Sequence, residues 1–493
     1  MAGFVEAHED VRALIAIDLG AESCRVSLLR WFEGLPHITL VHRFPNAPRF
    51  IEGGLRWDLA MIEAGLNRGL RECASIATEG IRSIAVDGWA VDYVRLDANG
   101  VAIADPYCYR DERTIESEKV LHRKIGRERI RELTGVQLLR INTLYQLHAD
   151  SLAQAEPTPW VNLPEYVLTR LGGAQVAEIT NATHSQLVGV QTREWCEELF
   201  RAAGADIACA PALVRPGTIV GKVSGALSEH PAFRDTLLIA PACHDTASAI
   251  AGIPADGDDW AYISSGTWSL VGTLIDRPLN NPAVNAANFT NLAGVGGRTL
   301  FHKNVNGMWL LQQCIEQWKG QGMDWNVPEL VQAAERVSQP PGLLDVDDPE
   351  LMFAGGMIAR INSQRQAIGL TPLDESTENA PAFASLIFHS LAARYAAVLG
   401  LVARHTGKNI KRLYIVGGGS RNNFLNQLTE QATGIPVLRG ATESSTLGNF
   451  SVQLAVLGRM PGEAHGVSCA EVCSCAKYLF ERAKFSDVPS SDA

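Results

Sequence analysis

The stretch ALIAIDLGAESCRVSLLRW, residues 13–31, frames the reading of the whole chain. Ala13 to Asp18 is an apolar run closed by one acid, the pattern of a buried strand. Gly20, Ala21 and Ser23 then make a tight turn of small residues, and Arg25 to Trp31 returns as a second strand. A turn of this kind brings backbone N–H groups against a phosphate. An acid at the strand end, Asp18, can hold Mg²⁺, mostly through water because that ion keeps much of its hydration. In isolation the pattern is weak, since many β-hairpins carry Gly and Ser.

Working outward, Ile38 to His42 supplies a third strand. After Asp58, a good N-cap, apolar residues recur at Leu59, Ile62, Leu66, Leu70 and Cys73, one face of an amphipathic helix. Ile84 to Asp87 and Val91 to Leu96 return to strand character. The second half opens in the same way, with Trp260 to Ser264, the turn Ser265-Gly266, and Thr267 to Ile275. A long helix carries Phe383, Ile387, Leu391, Tyr395, Val398 and Val402 on one face. The strand Lys411 to Val416 leads into Gly417-Gly418-Gly419 and a helix from Asn422 to Thr433, closed by Gly434. The strand Pro436 to Arg439 and a helix from Ser445 to Leu457 are expected to complete that half. Two halves with one opening predict a duplicated α/β architecture with a cleft between them. The boundary is expected within Gly252 to Asp259, giving domains 1–252 and 253–483 and a frayed polar tail over 484–493.

Of the 493 residues, 46% are hydrophobic and 20% charged, the balance of a packed globular enzyme. The net charge of −11, with no long basic block, excludes a nucleic-acid surface. No apolar run approaches the roughly 20 residues that cross a bilayer, and acids at Glu6, Glu9 and Asp10 do not suit a signal peptide. Most of the ten cysteines sit singly in apolar segments, so a reducing cytoplasm is expected. Cys469, Cys473 and Cys475 lack paired metal-ligand spacing and read as free thiols.

The sharpest single feature is Cys243-His244-Asp245-Thr246-Ala247-Ser248-Ala249, which follows a buried strand and opens a small-residue helix. Asp245 can be a helix N-cap, or a carboxylate at the strand's carboxyl end that takes a proton from a substrate hydroxyl. The usual phosphoryl-transfer signatures are missing. Gly217 to Val223 has glycines one residue too close for a Walker A loop and Val223 where Ser or Thr would stand.

Together these stretches resemble the FGGY-family carbohydrate kinases, and within them the enzymes acting on L-rhamnulose. The resemblance runs through the Asp18 loop, Val86 to Tyr93, Tyr109-Arg110-Asp111, Asn142 to Leu147 and Thr180-Asn181-Ala182-Thr183. It continues through His244 to Ala249, Ser264 to Ser269, Asn304 to Gln312, Val416 to Asn422 and Ser445 to Asn449. It implies two actin-like, ribonuclease-H-type domains with ATP and sugar in the cleft, and ATP-dependent phosphorylation of a ketose at its C1 hydroxyl. Fuculose, ribulose and xylulose are the alternative sugars, and a non-catalytic sensing relative is the alternative in another class.

The implied roles are Asp245 as base, His244, Thr246, Ala90 and Asn304 as sugar contacts, and Asp18 with Mg²⁺. ATP is expected at Ala21, Glu22, Ser23, Cys24, Arg25, Thr267, Gln312, Gly418 and Gly419. On pattern alone, Asn304 and Gln312 read as helix surface. Cys24 stands where the family has Gly, either as a thiolate favoured by N–H dipoles or as an inert buried thiol. Glu22 must point outward or be paired, with Arg25 as one partner. Gly88-Trp89-Ala90 stands where the family reads Thr-Trp-Gly. There the Ala90 methyl either narrows the sugar pocket or is matched by room made elsewhere, with Gly88 as one source of that room.

Overall fold

The computed structural model describes residues 10–459 and 466–487, which fall into two compact units. The first holds residues up to 256, residues 275–300 and those from 444 onward. Its seven-stranded sheet is built around Ala13–Leu19, every residue of which is buried. That strand runs antiparallel to Ser23–Phe32 and parallel to Ile81–Gly88. Beyond Ile81–Gly88 lie Leu237–Ala240 and Thr218–Lys222, and beyond Ser23–Phe32 lies Leu35–Pro45. The helix Leu59–Ile76 starts where expected, Asp58 accepting the Met61 N–H at 2.9 Å.

The second unit repeats the opening. Trp260–Ser265 runs antiparallel to Trp268–Ile275 and parallel to Arg412–Val416, which in turn pairs in parallel with Val437–Arg439. The duplication read from the strand–turn–strand signal is therefore real at the level of topology. The helix Ala380–Thr406 is this unit's core helix, packed against Val327–Arg336 and Asn423–Thr433. Contrary to the hydropathy reading of the sequence, Thr377–Thr406 is long and apolar enough to span a bilayer, with mean hydropathy 1.6. More than half of its most apolar window is nevertheless buried inside the protein. An apolar helix of this kind inside a globular unit is a core element.

Two expectations about organisation are corrected. The helix Ser444–Leu457 does not complete the second half; it packs on Ala13–Leu19, Ile81–Gly88 and the helix Asp245–Ala251 of the first unit. Helical periodicity reports that a face is buried but not what buries it. Likewise Lys484–Asp487 is no frayed tail but an edge strand, paired in parallel with Leu35–Pro45. Positions 488–493 lie outside the described residues.

Candidate active site

Strand register builds the charged centre of the first unit. Asp18 lies opposite Asp87 in the parallel pair and opposite Arg25 in the antiparallel one. Directly opposed side chains on one face of a sheet are neighbours. Arg25 Nη1 donates to Asp18 Oδ2 at 3.1 Å, and the Ser445 hydroxyl donates to the same oxygen at 2.6 Å. Asn449 Nδ2 donates to Asp87 Oδ2 at 2.6 Å, while Asp87 Oδ1 is buried with no hydrogen-bond partner. Gln453 extends the line, donating to Ile15 O at 3.0 Å and accepting from the Ser83 hydroxyl at 2.6 Å. Ser445, Asn449 and Gln453 recur every four residues, a polar stripe along one face of the helix. That spacing was the available signal for them, and the sequence reading assigned them no role.

Asp245 is the first residue of the helix Asp245–Ala251, and the cap position belongs to His244. Its Oδ1 accepts the Thr246 hydroxyl at 3.2 Å and faces His244 Nε2 at 3.4 Å. The side chain keeps 36% of its surface open, yet protein surrounds it densely. That burial, and then the charge of Asp18, push its carboxyl up to about 7. Burial and the same Asp18 charge hold Asp87 far above the usual carboxylate range. Three carboxylates, Asp18, Asp87 and Asp245, thus share electrostatic reach with the single guanidinium of Arg25.

The turn before Ser23 is shorter than expected, because Ser23, Cys24 and Arg25 already belong to the strand. Ala21 packs against the core and Glu22 is exposed. Glu22 lies within electrostatic reach of Arg110, whereas Arg25 is bound to Asp18. Cys24 points inward, fully buried, and burial raises its thiol to about 12. The inert alternative therefore replaces the thiolate. Iodoacetamide should leave Cys24 unlabelled in the native protein and label it after denaturation, with mass spectrometry as the readout.

The segment 88–93 is held by a buried network whose members lie too far apart in the chain to be paired by local spacing. Asp92 accepts from Trp57 Nε1 at 2.6 Å, Trp89 Nε1 at 3.0 Å, Gln146 Nε2 at 2.9 Å and the Tyr109 N–H at 3.2 Å. Val91 stands at φ 74°, a rare conformation for a β-branched residue, and its carbonyl accepts from Thr143 and Gln146. Gly88 makes no room for a sugar. A Cβ there would meet Leu19 Cβ at 2.7 Å and Leu19 O at 2.9 Å, so backbone contact requires the glycine. Ala90 is 7% exposed. His184, also unforeseen, stands edge-on to His244 with ring centroids 4.8 Å apart, and burial lowers it to about 4.

In the second unit, the Gly417–Gly419 turn packs against Ser265, two residues before Thr267, at the carboxyl ends of paired parallel strands. A Cβ on Gly419 would strike Ser265 Oγ at 2.0 Å, whereas nothing lies within 4 Å of one on Gly418. The N–H groups of Met308 and Trp309 donate to Gly266 O and Thr267 O at 3.0 and 3.2 Å, bracing the turn. Gln312 is on the helix Trp309–Gly320, as expected, but Asn304 lies in the strand Thr299–Asn306.

Residues 13–252 match the sequence profile of the N-terminal domain of the FGGY family of carbohydrate kinases, and residues 261–456 match that of its C-terminal domain. The chain belongs to this family of carbohydrate kinases. A rhamnulokinase of Pectobacterium carotovorum is 38% identical over 456 residues, covering 91% of this chain and 89% of that protein. A rhamnulokinase of Pectobacterium atrosepticum is also 38% identical, over 458 residues, with the same coverage. Among solved structures, a ligand-bound xylulose kinase from Lactobacillus acidophilus aligns with TM-score 0.72 and 14% identity over 95% of this chain and 96% of that one. Plasmodium falciparum glycerol kinase with ADP gives 0.70 and 15% over 94% and 92%. At such identities these structures speak for the shared actin-like fold alone.

Proposed function

We propose that this kinase transfers the γ-phosphoryl group of ATP to the C1 hydroxyl of a ketose, with L-rhamnulose the first candidate. The observation that carries this reading is Asp245, a partly open carboxylate following the strand Leu237–Ala240, with a proton affinity near neutrality. The two rhamnulokinase relatives support the choice of sugar. In the transfer, Asp245 accepts the proton of the sugar hydroxyl as its oxygen bonds to the γ-phosphorus. The bond from that phosphorus to the bridging oxygen breaks, and ADP leaves. His244, Thr246, Ala90 and Asn304 contact the sugar in this reading. The N–H groups of Ala21, Glu22 and Ser23, the backbone at Cys24 and Arg25, and Thr267, Gln312, Gly418 and Gly419 meet ATP. In this reading most sugar contacts fall within residues 1–252, Asn304 excepted, while the ATP contacts divide between the Ala21 to Arg25 turn and residues 253–483.

Mg²⁺ fits the donors present. The carboxyl groups of Asp18, Asp87 and Asp245 gather beside Arg25, and Asp87 Oδ1 has no hydrogen-bond partner. Among the described residues no three acid, His or Cys side chains converge as direct ligands, which suits an ion held at Asp18 mostly through water. Bound there, the ion would neutralise phosphate charge. All ten cysteines are unpaired, which supports a reducing, cytoplasmic setting.

A coupled assay of ATP consumption with L-rhamnulose, L-fuculose, ribulose and xylulose tests the proposal. Rhamnulose should give the highest kcat/KM, and ADP release that does not depend on any ketose would overturn the reading. Ala90→Gly removes one methyl, worth about 10- to 200-fold in discrimination within a packed pocket. It should change the ratios among sugars more than maximal turnover. Unchanged ratios would remove Ala90 from the sugar site.

A further inference from the structure

The base-bearing segment is held from behind by the Glu178 carboxyl, whose own backbone is braced by Glu165, and the reaction uses neither. Glu165 and Glu178 are both fully buried. Glu165 Oε1 accepts the Glu178 N–H at 3.0 Å, and its Oε2 accepts Asn181 Nδ2 at 2.9 Å. Glu178 Oε1 accepts the Thr180 N–H at 3.0 Å. Its Oε2 accepts both the Thr180 hydroxyl and, at 2.8 Å, the N–H of Cys243. The Thr180 hydroxyl oxygen in turn accepts the N–H of His244 at 3.3 Å.

Cys243 and His244 form the non-helical lead-in to the helix Asp245–Ala251, and the Cys243 carbonyl accepts the Gly88 N–H at 2.9 Å. The backbone of the lead-in is therefore fixed on one side by the strand Ile81–Gly88. On the other side it is fixed by Glu178, directly and through one hydroxyl. Burial makes two adjacent carboxylates costly, and burial raises Glu165 to about 7 and Glu178 to about 8. Well-packed apolar side chains would fill the same space without that cost. The donors converging on Glu178 show what the buried carboxyl does: it holds Thr180 and the Cys243 N–H, two residues before Asp245, while Thr180 holds the His244 N–H.

We infer that Glu178 and Thr180 are positioning residues for the base: the Glu178 carboxylate and the Thr180 hydroxyl clamp the backbone of Cys243 and His244 and so aim the Asp245 carboxylate. The inference rests on Asp245 being the base. Thr180 is the cleaner probe, because Val keeps its shape and removes only the hydroxyl, while Ser restores the hydroxyl without the methyl. A misplacement of about 1 Å at a reacting group costs up to about 10²-fold.

The experiment compares Thr180→Val, Thr180→Ser, Glu178→Gln and Asp245→Asn in the full chain. Steady-state kinetics on the best ketose accompany thermal melting and nucleotide affinity. Thr180→Val should lose about 10- to 100-fold in kcat with little change in sugar KM. Thr180→Ser should recover most of that loss, and nucleotide affinity should stay unchanged throughout. Glu178→Gln offers one acceptor oxygen where two are used, so its kcat should fall at least as far. The clamp is refuted if Thr180→Val keeps kcat within about twofold while Asp245→Asn is inactive. It is equally refuted if Thr180→Ser is as impaired as Thr180→Val, since the loss would then come from packing. If Asp245→Asn itself keeps its turnover, the assignment of the base falls and the clamp falls with it.

Discussion

Replacing Asp245 by Asn leaves a folded protein whose turnover drops by about 10²- to 10⁴-fold, the contribution of one general base. The amide keeps the size of the carboxylate, and no cap hydrogen bond depends on it, because Asp245 follows the cap position. The substitution removes a charge that Asp18 opposes in surroundings that penalise charge. The melting temperature should therefore hold or rise, the usual trade between activity and stability at a catalytic group. The wild-type pH profile carries the same assignment. Only the ionised base accepts a proton, so kcat/KM should climb with pH through an apparent pKa near 7, where burial and Asp18 have moved the carboxyl. A limb near 4 would mean that the titrating group is an ordinary exposed carboxylate. Near-normal turnover in Asp245→Asn would show that the residue is structural.

Gly448→Ala is expected to damage both stability and turnover, although the site is remote from solvent and uncharged. Here the helix Ser444–Leu457 crosses Asp245–Ala251 backbone to backbone. A Cβ on Gly448 would lie 1.7 Å from Ser248 O and 2.9 Å from the Gly252 N. These are main-chain atoms of a helix and cannot rotate away, so the helices must part. Overpacking of this kind typically costs about 1–3 kcal/mol, occasionally more. The displaced helices carry Asp245 on one side and Ser445 and Asn449, the partners of Asp18 and Asp87, on the other. A fall in kcat of about 10²-fold should accompany the loss of stability. Gly400→Ala is the control, lying in the helix Ala380–Thr406 with nothing within 4 Å of the added methyl. It should stabilise by roughly 0.8–1 kcal/mol, from helix propensity alone. Equal melting temperatures for the two variants would mean that the helix crossing is not tight.

Strand–turn–strand openings at Ala13 and Trp260, apolar faces recurring at helical spacing, and Asp58 and Gly434 as helix ends were legible in the sequence because each depends on neighbours within a few residues. Asp245 stood out locally as well, after a buried strand, but that pattern also read as a helix cap, and the role of base came from the family resemblance. What the tertiary structure decided depends on partners far along the chain. Ser445 and Asn449 reach Asp18 and Asp87 across more than 350 residues, and Glu178 reaches Cys243 across 65. The helix Ser444–Leu457 offered no sign of which unit would bury it, because its small and apolar residues suit any close neighbour. Gly88 looked like space gained, yet it is space denied, because the Leu19 backbone occupies the place of a side chain. Local spacing determines which groups share a face; only packing determines what that face meets, and proton affinity, reactivity and room all follow from the meeting.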